Sequence, residues 1–101
     1  MPVEVVWLDQ AADDLDAVFK FIAQDNPSAA LDYIDGFEHA CKHLQDFPNS
    51  GRFYDSRYKT LIYRNHLIFY RFSMTANTLK IVTIVDGRQH YRKLLTDLPE
   101  S

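Results

Sequence analysis

At 101 residues, with 47% hydrophobic and 25% charged side chains, the chain is long enough for one hydrophobic core and too short for two, so a single domain over 1–101 is expected. No apolar run approaches the roughly 20 residues of a membrane helix, which excludes a spanning protein, and the composition is that of an ordered globule. The net charge of −3 hides an asymmetry: residues 1–50 carry Lys20 and Lys42 against ten acidic residues, whereas residues 51–101 carry nine basic against four acidic.

That asymmetry makes the second half the place to look for an anionic partner. Met1-Pro2-Val3-Glu4 has neither the basic start nor the apolar stretch of a secretory signal, and the lone Cys41 has no partner for an internal disulfide. Both point to the cytoplasm.

In chain order, Val3-Glu4-Val5-Val6-Trp7 alternates apolar side chains as a strand does, and Asp9 after it suits a helix N-cap. From Ala11 the period lengthens: Ala11, Leu15, Val18 and Ile22 form one stripe flanked by Ala12 and Phe19, so an amphipathic helix is expected. Asp13, Asp14 and Asp16 crowd its first turns, where the helix dipole favours anions, and are read as helix stabilisers. Asn26-Pro27 starts a second helix, since Asn caps well and Pro is tolerated at the first position. Its stripe is Ala30, Ile34, Phe37, Cys41 and Leu44, which makes Cys41 a core residue, and Pro48-Asn49-Ser50-Gly51 ends it. So short a link between helices predicts an antiparallel hairpin.

Three strands follow, over Tyr58–Tyr63, Leu67–Ser73 and Leu79–Val85, with connections short enough for an antiparallel meander. Segments such as Leu67-Ile68-Phe69-Tyr70 are apolar on both faces, so both sides of the sheet require cover, and the hairpin supplies one. The tail from Tyr91 to Leu95 fits one further helical turn before Pro99.

The expected class is therefore α+β: an N-terminal strand, an antiparallel helical hairpin and a three-stranded antiparallel meander. Several unrelated folds answer to that description. What narrows it is a series of local features: Trp7 closing the first strand, Ala12-x-Asp14-Leu15, Asn26-Pro27-x-Ala29-Ala30, Phe47-Pro48-x-x-Gly51-Arg52, Ile68-x-Tyr70-Arg71 and Ile84-Val85-Asp86-Gly87-Arg88-Gln89-x-Tyr91. In this order, over nearly the whole chain, they resemble the RelE/ParE superfamily of type II toxin–antitoxin systems, and most of all its ParE-like branch. Gly87 is read as allowing a backbone conformation through which Arg88 leaves the sheet plane.

The ParE-like resemblance implies a toxin that inhibits DNA gyrase by binding it, stops growth, and is neutralised in a hetero-oligomer with a cognate antitoxin. Arginine and aromatic anchors suit such binding, and Arg52, Arg57, Tyr58, Arg88, Tyr91 and Arg92 are the expected target-binding residues, in the company of Phe53 and Tyr54. The RelE-like branch implies instead an endoribonuclease acting on messenger RNA at the ribosome. That chemistry needs cations for the phosphorane and groups that move protons, for which Arg64, Arg71, Arg88, His90 and Tyr91 are candidates beside Lys59. Asp86 stands where that branch has its histidine, and a carboxylate there repels phosphate. An antitoxin is expected to wrap the toxin with an amphipathic helix and an extended tail, and the alternation Leu79, Ile81, Thr83, Val85 marks a docking surface for it.

No cofactor is implied. His39 and His43, spaced i, i+4 near Asp35 and Asp46, have zinc-ligand spacing, but they sit beside Glu38 and Lys42 on what reads as a solvated helix face. A non-toxic antitoxin-binding domain remains the rival outside toxins.

Overall fold

The computed structural model describes residues 2–98, and Pro99 lies outside them. The chain runs β1 (Glu4–Trp7), α1 (Asp9–Ala23), α2 (Pro27–Asp46), β2 (Arg52–Phe53), β3 (Lys59–Tyr63), β4 (His66–Ser73), β5 (Thr78–Asp86) and α3 (Tyr91–Asp97). The expected α+β class, the two helices and the meander β3–β4–β5 are all present. The strands form one mixed sheet in the order β1-β5-β4-β3-β2, in which β1 lies parallel to β5 and the remaining pairs are antiparallel. β2, a two-residue strand on the edge of β3, has no signal in the sequence pattern.

Local chemistry accounts for the helices. Asn26 caps α2 through its side-chain oxygen, which accepts the Ala29 N–H at 3.1 Å, and Pro27 occupies the first turn. Ala30, Phe37, Cys41 and Leu44 are buried, as their stripe requires. α1 differs from expectation at its start: Leu8 is the capping position, with no side-chain cap bond, and Asp9 lies inside the first turn. There its carboxylate meets the exposed N–H groups as a charge and not as a cap.

The larger core lies between the hairpin and one face of the sheet, where Phe37, Leu44 and Ala11 meet Ile68, Tyr70, Leu79, Ile81 and Ile84. On the opposite face, Tyr58, Phe69, Val82 and Val85 pack with Leu95 of α3. The chain thus covers the second face of its sheet with its own C-terminal helix. β5 serves both layers by alternation, but the pairing slips between Phe69 and Tyr70: Tyr70 faces Ile81 and Phe69 faces Thr83, which leaves Val82 as the extra residue of a bulge and reverses the alternation beyond it.

The bulge corrects the reading of Leu79, Ile81, Thr83 and Val85 as one docking face. Leu79 and Ile81 point under the helical hairpin while Val85 points towards α3. All four are buried within the chain, so they present no surface to a partner.

Asp14 ties α1 to this strand. β1 ends at Trp7, opposite Ile81. Past that point Asp14 Oδ2 accepts the Ile84 N–H at 3.0 Å and the Thr83 hydroxyl. Of the acidic trio, then, Asp14 is a tertiary anchor, while Asp16 pairs on the surface with Lys20 one turn along.

Candidate functional site

Where β4 and β5 meet, at the β3–β4 turn, the chain builds a polar corner. Arg64-Asn65 connects β3 to β4 in two residues, and Arg64 adopts a φ of 53°, a left-handed conformation that costs a residue with a Cβ about 1–2 kcal/mol. Stacking holds it there, with the guanidinium carbon 5.5 Å from the Tyr33 ring centre and 5.6 Å from that of Tyr63. Asn65 then presents its carbonyl to the Gly87 N–H at 2.8 Å, which fastens the turn to the segment beyond β5. Gly87 itself has no positive φ; among the described residues the left-handed positions are Arg64 and Asn77. The Arg88 excursion therefore needs no special glycine conformation and follows from the turn after Asp86.

That turn is organised by one carboxylate. Asp86 Oδ1 accepts the Arg88 backbone N–H at 2.9 Å and Nε–H at 3.1 Å, Oδ2 accepts Nη2–H at 2.9 Å, and the Asp86 carbonyl accepts the Gln89 N–H. The Arg88 guanidinium holds the carboxyl of Asp86 well below the usual carboxylate range. Arg88 stays 82% exposed, so the pair orients the guanidinium at the surface and does not bury it.

Behind Arg88, His66 pairs across the strands with Asp86, and its Nδ1 lies 2.7 Å from the Tyr33 hydroxyl. Burial lowers the pKa of His66, which keeps it neutral at pH 7, and burial raises that of Tyr33. With His66 neutral, Tyr33 is able to donate to Nδ1 and the imidazole keeps its proton on Nε2. These groups form one wall of a cleft of about 450 Å³, whose other wall is Ala17, Val18, Phe21 and Ile22 of α1.

The expected target-binding residues divide between two places. Arg88 stands at this cleft. Tyr91 lies across the sheet, its ring 5.6 Å from Phe69 and 6.2 Å from Tyr54. Arg57 belongs to that second place, 4.8 Å over the Tyr58 ring and 3.4 Å from Asp55. Tyr58 itself is buried, so it supports Arg57 and is not open to a target. Arg52 and Arg92 are exposed, Arg52 beside an equally exposed Phe53 on the short edge strand.

The residues proposed for a nuclease converge only in part: Arg64 and Arg88 stand at this corner, and the others lie elsewhere. Arg71 pairs with Lys80, five positions along β4 from His66, about 17 Å at strand spacing. His90 is exposed ahead of α3 and makes no side-chain cap bond there. The half-buried histidine is His66, which the sequence reading passed over together with Tyr33 and Asn65. A histidine two residues after a turn arginine was its one local signal.

The histidines of α2 are occupied otherwise. His39 Nδ1 lies 3.2 Å from the Asp35 carbonyl, and His43 stacks on Phe47 with 4.8 Å between ring centres. Among the described residues no three His, Cys, Asp or Glu side chains gather in metal-binding geometry. Burial pushes the Cys41 thiol up to about 12, which suits a core residue.

With this geometry in hand, comparison with known proteins identifies the kind of molecule. The model of the family described as the ParE toxin of type II toxin–antitoxin system, parDE, matches residues 5–91, and the chain belongs to that family. Its fold is similar to that of a chain in the chromosomal ParDE toxin–antitoxin system from P. aeruginosa, at a TM-score of 0.70 and 23% identity, covering 83% of this chain and 95% of that one. It is also similar to a chain of the toxin–antitoxin complex RelBE2 from Mycobacterium tuberculosis, at a TM-score of 0.57 and 17% identity, covering 85% and 99%. No curated protein matches at a significant level.

Proposed function

We propose that this ParE-family toxin acts by binding DNA gyrase, without covalent chemistry of its own, and that a cognate antitoxin neutralises it. The observation that carries the reading is that Arg71 and Tyr91, expected to act with Arg88 in a nuclease, stand apart from it. Arg71 stands at the far end of β4 from Arg88, Tyr91 packs on the opposite face, and His90 makes no side-chain cap bond at the start of α3. Phosphoryl transfer needs its acid, base and cations around one phosphate, whereas binding needs only exposed anchors. Arg52, Arg57, Arg88, Tyr91 and Arg92 are the residues we assign to the target, with Tyr58 holding Arg57 in place. Such a target also puts the toxin in the cytoplasm. Consistent with that, no described helix is long and apolar enough to cross a membrane.

Inducible expression in bacteria tests the reading. Growth arrest with trapped, cleaved DNA and intact messenger RNA is the expected result, and cut messenger RNA with normal gyrase overturns it. Arg88→Ala combined with Arg92→Ala, both exposed, is expected to relieve the arrest while leaving the fold unchanged.

A further inference from the structure

We propose that the α3 side of the sheet binds the phosphate backbone of duplex DNA through Arg57, Arg71 and Lys80; this rests on the reading of the chain as a gyrase-binding toxin and makes the DNA held by that enzyme a second contact. The observation behind it is a like-charge pair. Arg71 of β4 lies directly opposite Lys80 of β5, and like charges facing each other across strands destabilise a sheet. An anion seated between the two removes that cost.

Position carries the argument further. Phe69 packs with Leu95 of α3, so alternation puts Arg71, two residues on, at the same side of the sheet about 7 Å further along, with Lys80 beside it. Arg57 reaches that side too, because it stacks 4.8 Å over the ring of Tyr58, which itself packs on Phe69. All three cations are half-buried, so their stems lie on the sheet and their charged ends are held in place. Tyr91, assigned above to gyrase, packs on Phe69 from the same side, so one face can meet both the enzyme and its DNA.

Two shallow clefts meet at Arg71. One, of about 310 Å³, is lined by Arg71, Phe72, Ser73, Ala76, Thr78 and Lys80, and the other, of about 240 Å³, adds Ser56, Arg57 and Lys59. Among the described residues lining the two, four are cationic and one, Asp55, is acidic, and its Oδ1 already accepts the backbone N–H groups of Arg57 and Tyr58. On a chain of net charge −3 that is a local concentration of cations. From β3 to β5 they span about 10 Å, the reach of about three successive charges of one DNA strand. A single carboxylate on a protein segment leaves most of that row uncompensated, whereas a duplex presents phosphates at regular intervals. Ser56 and Ser73 supply the hydroxyls that accompany Arg and Lys at phosphates, and such contacts read no bases, so binding is expected to be indifferent to sequence.

The test is a fluorescence-anisotropy titration of a labelled duplex of mixed sequence, about 20 base pairs long, with the full chain across a series of salt concentrations. The logarithm of the binding constant is expected to fall with the logarithm of salt at a slope of about −2.7, for three phosphates. Arg71→Gln combined with Lys80→Gln is expected to weaken binding at least tenfold and to flatten the slope by about two. Lys80→Gln alone, which leaves Arg71 and its contacts untouched, is expected to weaken it at least threefold. Lys42→Gln on α2 is the control for overall charge and is expected to change neither quantity; an equal loss there overturns the proposal. So does an absence of binding at millimolar toxin, or tighter binding of polyglutamate or of single-stranded RNA of the same length. With gyrase added, the double variant is expected still to be captured by the enzyme yet to trap at least tenfold less cleaved DNA, and undiminished trapping overturns the proposal while leaving the toxin reading intact. An unsubstituted chain that traps no cleaved DNA refutes the gyrase reading instead, and the titration still decides whether the patch binds DNA.

Discussion

The two faces of the sheet are covered by unequal means. On one, helices of 15 and 20 residues bring Phe37, Leu44 and Ala11 down on four strands, and Asp14 bonds the hairpin to the backbone of β5. On the other, the seven residues of α3 rest on a cluster of aromatic rings through Leu95, 1% exposed, with Tyr91 and Leu98 at the margins. A helix so short has little stability of its own and exists through what it packs against. The contrast predicts a division of labour: the hairpin face is expected to set global stability and the α3 face to open locally, carrying Tyr91 and Arg92, the residues we propose for the target.

That contrast is open to attack by mutation, and the largest effect belongs to the hairpin face. Phe37→Ala removes a wholly buried ring and is expected to cost about 3–5 kcal/mol of global stability, read as a lower urea midpoint. Leu95→Ala is expected to cost about 2–3 kcal/mol on the α3 face. Its signature is different: in hydrogen exchange the amides of α3 lose protection while those of β4 keep theirs. Equal loss in both segments refutes the division.

Asp14→Ala sharpens it further. Without the carboxylate the Ile84 N–H has no acceptor, which is expected to cost about 1–3 kcal/mol and to leave α3 protection unchanged. The smallest effect is on pH dependence. Burial lowers the folded pKa of His66 below its ordinary value near 6.5, so the folded state binds its proton less readily than the unfolded state. Stability is then fully present above about pH 6.5 and declines as pH falls towards the lower folded value. His66→Gln is expected to flatten that part of the profile, and a slope that persists in the variant assigns the effect to another group.

Much of the hairpin face was legible along the chain. Asn26-Pro27 announces a helix start through its capping chemistry, and Ala30, Phe37, Cys41 and Leu44 recur at helical spacing, because both signals involve residues a turn or two apart. The meander was legible for the same reason. β2 was not, since two residues cannot show a period. The role of α3 was not either: Leu95 gains meaning only from Phe69 and Val82, which lie far off in sequence. The candidate site was read least well. The Arg88 segment was singled out, but its partner Asp86 was read as a repellent of phosphate and is the group that orients it.

By itself the sequence determined the helices, the meander and the family, all of which rest on short-range periodicity and ordered local motifs. Tertiary structure alone decided which residues share a surface. The Tyr33–His66 contact joins residues 33 positions apart, and the Asp14–Ile84 bond joins residues 70 apart. A one-residue bulge returns Ile84 to the layer of Ile81 and sends Val85 to the opposite one. A strand alternates with period two, so a single inserted residue reassigns every side chain beyond it, and local sequence carries no mark of where that insertion falls.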